Sequence, residues 1–254
     1  SMTSIKSKNE LTEKEHFNKM ASSYDTNYGY SDSFTEYKLN KKTTSFVNLI
    51  KPYIKNKKNL KILEVGCGTG EYTMRIAKHF PKTKIIGLDI SNNILKVARK
   101  KCKTQKNVSF TAQSAYKTKL KNDSVDVVYG FYALHHLDIK KFKQEALRIL
   151  KPNGVVYFYE PNILNPVVFL IKSNKFLKSK VGDSPDEWAI NPIGIKKEFT
   201  GFNKVDILMS EYVWPLKFIP SEVLILIDKT ISPMNKIPVI KYLGGSVQIF
   251  FQKK

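Results

Sequence analysis

At 254 residues, with 42% apolar and 26% charged side chains, the chain has material for one generous globular domain carrying insertions. Its longest apolar runs, VVFLI (167–171) and VLILI (223–227), fall far short of the roughly 20 residues of a membrane span. The N-terminus has neither a secretory apolar core nor an Arg-rich transit pattern, and the chain reads as cytoplasmic. The formal charge of +21 is nearly all scattered lysine, with arginine only at Arg75, Arg99 and Arg148. That argues for a solvated surface, leaves room for peripheral contact with an anionic membrane, and argues against a nucleic-acid face, which would cluster and use arginine forks. Cys67 and Cys102 make neither a disulfide framework nor a metal site.

Residues 1–58 read as a polar, helical N-terminal lid, with Phe17, Met20 and Ala21, then Phe46, Leu49, Ile50 and Tyr53, at helical spacing. From residue 59 to 160 strands and helices alternate. LKILEVG is a buried strand, EYTMRIAKHF a helix and KIIGLDI a second strand. Ser91 caps NNILKVARKK, VSFTAQ and SVDVVYGF follow as strands, Asp138 caps IKKFKQEALRIL, and VVYFYEP is the fifth strand after a KPNG turn. This rhythm predicts an α/β, Rossmann-like, mostly parallel sheet with helices on both faces. After Pro161 it breaks. Insertions at 161–191 and 214–243 bracket a helix (PIGIKKEFTGF) and a strand (NKVDILMSEYV), and GSVQIFFQKK closes a single domain.

The chemistry starts at LEVGCGTGEYT. Glu64, Gly66, Gly68 and Gly70 form E-x-G-x-G-x-G between a buried strand and a helix. Glycines there let backbone N–H groups approach a ligand. The tight spacing and the early carboxylate disfavour a dinucleotide, which uses G-x-G-x-x-G. They suit a smaller ligand with an amino-acid end and a nucleoside. Asp89, at the end of the second strand, is placed to hold ribose hydroxyls.

ILEVGCGTG, IIGLDIS, SVDVVYGFYALHHL and LKPNGVVYFYEPN, in that order, resemble the signature segments of class I S-adenosylmethionine-dependent methyltransferases, especially the ubiquinone/menaquinone-biosynthesis-like small-molecule group. The resemblance is good over residues 15–160 and looser beyond. It implies a seven-stranded sheet whose last strand is antiparallel, and S-adenosylmethionine as cofactor, with S-adenosylhomocysteine as product. By the same resemblance, Glu64, Gly66, Cys67, Gly68 and Gly70 line the methionine end, and Asp89 holds the ribose. Ile90 packs on the adenine, Tyr24 closes over the cofactor, and Gly130 and Phe131 lie near the methionine moiety.

One departure stands out. The family has an acidic residue after the third strand for the adenine amine, whereas this chain has Gln113, Ser114 and Ala115. Either Gln113 or Ser114 can accept that bond without a full charge, so weaker cofactor binding is expected. Tyr132, His135, His136 and Glu160 are the candidates for acting on the acceptor, with one histidine expected to be structural. The insertions mix apolar residues with lysine and are the expected walls of an apolar or lipid-like acceptor pocket. RNA methylation and non-catalytic cofactor binding are the alternatives.

Overall fold

The computed structural model describes residues 10–21, 32–184, 187–216 and 218–254. Helices α1 (Glu10–Met20) and α2 (Ser33–Ile54) precede the sheet. There follow β1 (Lys61–Val65), α3 (Glu71–His79), β2 (Lys84–Asp89), α4 (Asn92–Lys101), β3 (Val108–Ala112), β4 (Val125–Phe131), α5 (Ile139–Ile149) and β5 (Leu150–Pro161). The remainder is α6 (Pro166–Ser173), α7 (Lys175–Val181), α8 (Ile195–Glu198), β6 (Phe202–Ser210), α9 (Ser221–Ile231) and β7 (Ser246–Lys253), with short 3-10 turns before β7.

The seven strands run in the order β3-β2-β1-β4-β5-β7-β6, and only β7 is antiparallel to its neighbours. The chain winds outward from β1 to β3 and then returns to lay β4 beside β1. The crevice above the β1 and β4 carboxyl ends is therefore the topological switch point, where open α/β sheets take their ligands.

Strand alternation splits the core between the two faces. Val127, Tyr129, Val155 and Tyr157 point to the face covered by α2 and α3, packing on Phe46, Ile50 and Ile76. Val128, Val156, Phe158 and Phe251 point to the other face, with Phe142, Ala146 and Phe199. The two expected caps form: Ser91 Oγ accepts from Ile94 N at 3.2 Å, and Asp138 Oδ1 accepts from Lys140 N and Lys141 N at 3.1 and 3.2 Å.

Two expectations change. The helix read through PIGIKKEFTGF shrinks to Ile195–Glu198, because Pro192 and Gly194 break its start and Gly201 turns its end at φ +100°. KPNG, read as a turn, lies inside β5, where the register against β4 shifts between Leu150 and Val155, and Cys102 is buried, its Sγ facing Gly70 O at 3.6 Å. The insertions also acquire order: 161–191 contains α6 and α7, and α9 packs on α2 through Phe34, Val213 and Leu224. Among the described residues no helix is long and apolar enough to cross a membrane.

Candidate functional site

The loop from β1 to α3 is built on three left-handed glycines: Gly66 at φ +66°, Gly68 at +51° and Gly70 at +79°. A Cβ on Gly66 would lie 2.7 Å from Ala133 Cβ, so the loop after β4 presses directly on it. Asp89 ties the loop down, its Oδ2 accepting from Gly68 N at 3.0 Å and its Oδ1 from Ser91 N at 2.9 Å. Burial pushes the Asp89 carboxyl above the usual range against those hydrogen bonds. Glu64, 1% exposed, accepts from the Thr73 hydroxyl and from Tyr129 Oη at 2.8 Å. Burial raises its pKa to about 7, the two hydrogen bonds lower it, and nearby Asp89 adds to the rise. A buried carboxyl beside a glycine cradle is suited to a cationic ligand end, whose charge would offset the cost of its burial.

Two cavities meet at Gly66, Gly68, Phe131, Tyr132 and His136. The first runs past Asp89, Ile90, Gln113 and Ala115 under α1, which contributes Glu10, Glu13 and Phe17. Here the acceptors expected after β3 are already engaged. Gln113 Oε1 accepts from Lys119 N at 2.7 Å, and Ser114 Oγ donates to Glu10 Oε1 at 2.5 Å while accepting from Tyr116 N at 3.1 Å. The carboxylate absent after β3 thus arrives from the first helix as Glu10, which only the packing of α1 brings there. Tyr24 lies outside the described residues.

The second cavity, about 490 Å³, includes Glu64, Cys67, His135, Val168, Ile171 and Trp214. Cys67 is buried against Leu95, Ala98 and Phe110, and burial holds its thiol far above the usual range, so it is a wall. Phe131 stacks on Tyr72 with centroids 3.9 Å apart. Gly130 lines neither cavity; a Cβ there would come within 2.5 Å of the Phe158 ring, so this glycine serves strand packing.

The four candidates for acting on the acceptor divide. Glu160, fully buried, accepts from Ala133 N and Leu134 N at 3.0 and 2.8 Å and meets His135 Nδ1 at 2.5 Å, so it organises the turn after β4 and lines neither cavity. His135 Nε2 lies 3.1 Å from Glu187 Oε1. Burial lowers the His135 pKa, but the flanking Glu160 and Glu187 carboxylates outweigh it and the net shift is upward. His136 lines both cavities, with Nδ1 3.0 Å from Glu13 Oε2, and burial plus repulsion by His135 hold its pKa below the usual value. His135, His136 and Glu187 bring ligand-type atoms within 4.8 Å of one another, with the Lys172 ammonium seated on Glu187. Tyr132 takes a left-handed φ of +54° and donates from Oη to Glu211 Oε2 at 2.9 Å. Glu187, Glu211 and Lys172 come from the insertions or their borders, where no motif marked them.

Residues 62–154 match a methyltransferase domain family. A demethylmenaquinone methyltransferase of Lactococcus lactis is 37% identical over 105 residues, 40% of this chain and 42% of that protein. A malonyl-[acyl-carrier protein] O-methyltransferase of Priestia megaterium is 29% identical over 150 residues, 57% of this chain and 49% of that protein. The chain spans about half the length of the curated relatives it matches. In fold, an S-adenosylmethionine-dependent methyltransferase from Thermotoga maritima superposes with a TM-score of 0.64 at 16% identity, covering 94% of this chain and 99% of that one. A Haemonchus contortus phosphoethanolamine N-methyltransferase, solved with S-adenosylhomocysteine, gives 0.62 at 18% identity over 97% of this chain and 59% of that one.

Proposed function

We propose that the chain is a class I S-adenosylmethionine-dependent methyltransferase of the quinone-biosynthesis-like group, which binds S-adenosylmethionine and methylates a small apolar or lipid-like acceptor. The observation that carries the reading is the pair of buried carboxyls, Glu64 and Asp89, on either side of a left-handed glycine loop at the switch point. The residues fit the cofactor. Glu64 suits the ammonium end and Asp89 the ribose diol, and the groove under α1 with Ile90 and Ala115 suits the base.

The bound cofactor supplies an electrophilic methyl group on a sulfonium; the protein aligns the acceptor and excludes water. His136 stands where the two cavities join, and burial together with the adjacent His135 favours its neutral form. The His136 Nδ1 faces Glu13 Oε2 at 3.0 Å and its Nε2 lies 3.8 Å from Glu187 Oε2, and in this reading the ring takes the acceptor's proton. His135 is a positioning residue, braced by Glu160 and Glu187. The 161–191 and 214–243 segments wall the acceptor cavity with Val168, Ile171 and Trp214, and α1 covers the nucleoside end.

The test is calorimetry with S-adenosylhomocysteine, followed by transfer of labelled methyl from S-adenosylmethionine to naphthoquinol-type acceptors. A thermal shift with NADH and none with S-adenosylhomocysteine would overturn the reading. Glu10→Gln is expected to weaken S-adenosylhomocysteine about tenfold, the equivalent of one charge-assisted hydrogen bond, and far less for the inosine analogue, which lacks the amine. Equal losses for both analogues would remove Glu10 from base recognition.

The protein works, in this reading, in the cytoplasm at an anionic membrane surface. Most large exposed apolar side chains lie in the two insertions, including Phe169, Leu170 and Phe176 on one and Leu226 and Val239 on the other. Lys175, Lys180, Lys236 and Lys241 are interspersed with them. Vesicles containing phosphatidylglycerol should float with the protein at low salt, and neutral phosphatidylcholine vesicles should not. Equal flotation with both would exclude the electrostatic part.

A further inference from the structure

The larger cavity has one wall whose charges do not balance. Lys38 and Lys42, one turn apart on α2, both reach Glu211 Oε1, at 2.7 and 3.0 Å. All three side chains are largely enclosed, at 17%, 11% and 14% exposure, and all three line the cavity that also contains Gly66 and Gly68. Glu211 Oε2 is taken by Tyr132 Oη at 2.9 Å and by the Ser246 hydroxyl. One carboxylate therefore serves two ammonium groups.

Elsewhere around this cavity the carboxylates equal or outnumber the cations they pair with. Lys172 sits on two carboxylates, Asp183 and Glu187, while Arg75 and Lys101 are met by the two carboxylates Glu36 and Glu71. Glu64 is bonded to Thr73 and Tyr129. Among the described residues the excess cation is confined to the Lys38–Lys42 wall.

An enclosed cation without its own counter-charge is costly, and the aromatic faces compensate it only in part. Lys42 Nζ lies 4.8 Å from the Tyr132 ring centroid and 5.3 Å from that of Tyr159. Burial still pulls the Lys42 pKa down to about 8, even though Glu211 pulls it up. Backbone geometry agrees: Tyr132 at φ +54° and Glu211 at +63° are both non-glycine residues in the left-handed region, joined by their own hydrogen bond. Strain held in place by surrounding structure collects at ligand sites.

We propose that Lys42, supported by Lys38 and Glu211, anchors an anionic oxygen of the methyl acceptor, a carboxylate or an aromatic or enolic oxygen bound as its anion. The apolar remainder of the acceptor lies along Val168, Ile171, Val213 and Trp214. This deepens, and rests on, the methyltransferase reading. The anchor does not take part in bond making; it selects the acceptor and holds its charged end at the cofactor-proximal cavity.

The test titrates protein loaded with S-adenosylhomocysteine with 2-naphthoate, 2-naphthol and neutral 2-naphthalenemethanol near pH 8. Wild type is expected to bind naphthoate, or naphthol with the red-shifted absorbance of naphtholate, at least about tenfold tighter than the alcohol. The first outcome marks a carboxylate acceptor, the second a phenolate-type one. Lys42→Met should erase that preference while leaving alcohol binding in place, and Lys42→Arg should keep most of it. Equal affinity for all three probes, no binding of any of them, or an unchanged preference in Lys42→Met overturns the anchor. Failure of wild type to bind S-adenosylhomocysteine would instead overturn the cofactor assignment. Retained S-adenosylhomocysteine binding by Lys42→Met shows that the variant is folded.

Discussion

Glu64→Gln is expected to weaken S-adenosylhomocysteine binding at pH 8 by on the order of 100-fold, and to remove a proton release that accompanies binding to wild type at pH 7. The carboxyl lies under the glycine loop with its pKa raised by burial to about 7, so unliganded protein at neutral pH is only partly ionised there. An ammonium arriving at this position favours the carboxylate, and the proton leaves. Calorimetry at pH 7 in buffers of different ionisation enthalpy reads that proton directly; equal enthalpies in all buffers for wild type would sink the idea. Stability carries the same signature. The folded pKa lies above the unfolded value of 4.5, so the carboxyl's contribution is full below about pH 4.5 and is lost as pH rises through about 7. Unliganded wild type should lose up to about 3 kcal/mol between pH 5 and pH 8 from this group, and Glu64→Gln should not. Denaturant titrations at the two pH values measure the difference.

Gly66→Val carries the second large effect. Its Cβ would sit 2.7 Å from Ala133 Cβ, and its backbone would have to hold φ +66°. β-Branched residues resist that region, at roughly 1–3 kcal/mol, and the clash pushes away the turn after β4 that carries Ala133, His135 and His136. The variant should melt several degrees lower, about 2–4 °C per kcal/mol for a chain of this size, and lose S-adenosylhomocysteine binding by at least about 100-fold. A double-mutant cycle separates the two causes. Ala133→Gly should restore part of the binding to Gly66→Ala, because it removes the contact but not the strained φ. If Gly66→Val binds like wild type, the glycine loop is not the cofactor seat.

Much of the fold is legible locally. Buried β runs, Ser91 and Asp138 as caps and the E-x-G-x-G-x-G turn report short-range chemistry: hydrophobic period, capping oxygens and left-handed backbone. They placed β1, β2 and β4 and the caps of α4 and α5 within a residue or two, whereas β5 starts at Leu150, five residues before the strand read after KPNG. Where neighbours in sequence do not decide the outcome, local reading falls short. PIGIKKEFTGF keeps a single helical turn, and Cys102, polar-flanked in sequence, is buried because α4 lays it against Gly70.

By itself, the sequence determined the alternation of strands and helices and the glycine cradle, which depend on residues within about a helical turn or a strand of one another. Asp89 and the seven-stranded sheet were legible through the resemblance of ordered motifs, Asp89 lying 21 positions from the Gly68 N–H whose hydrogen bond it accepts. Tertiary structure alone decided what faces the cradle. Glu10 comes to Ser114 across 104 positions, Glu211 meets Tyr132 across 79, and Glu187 reaches His135 across 52. Such meetings arise from how α1, α2 and the insertions pack over the carboxyl edge of the sheet. A charged side chain carries no periodic signal for the distant partner that compensates its burial, so the groups around the acceptor became visible only once the elements were assembled.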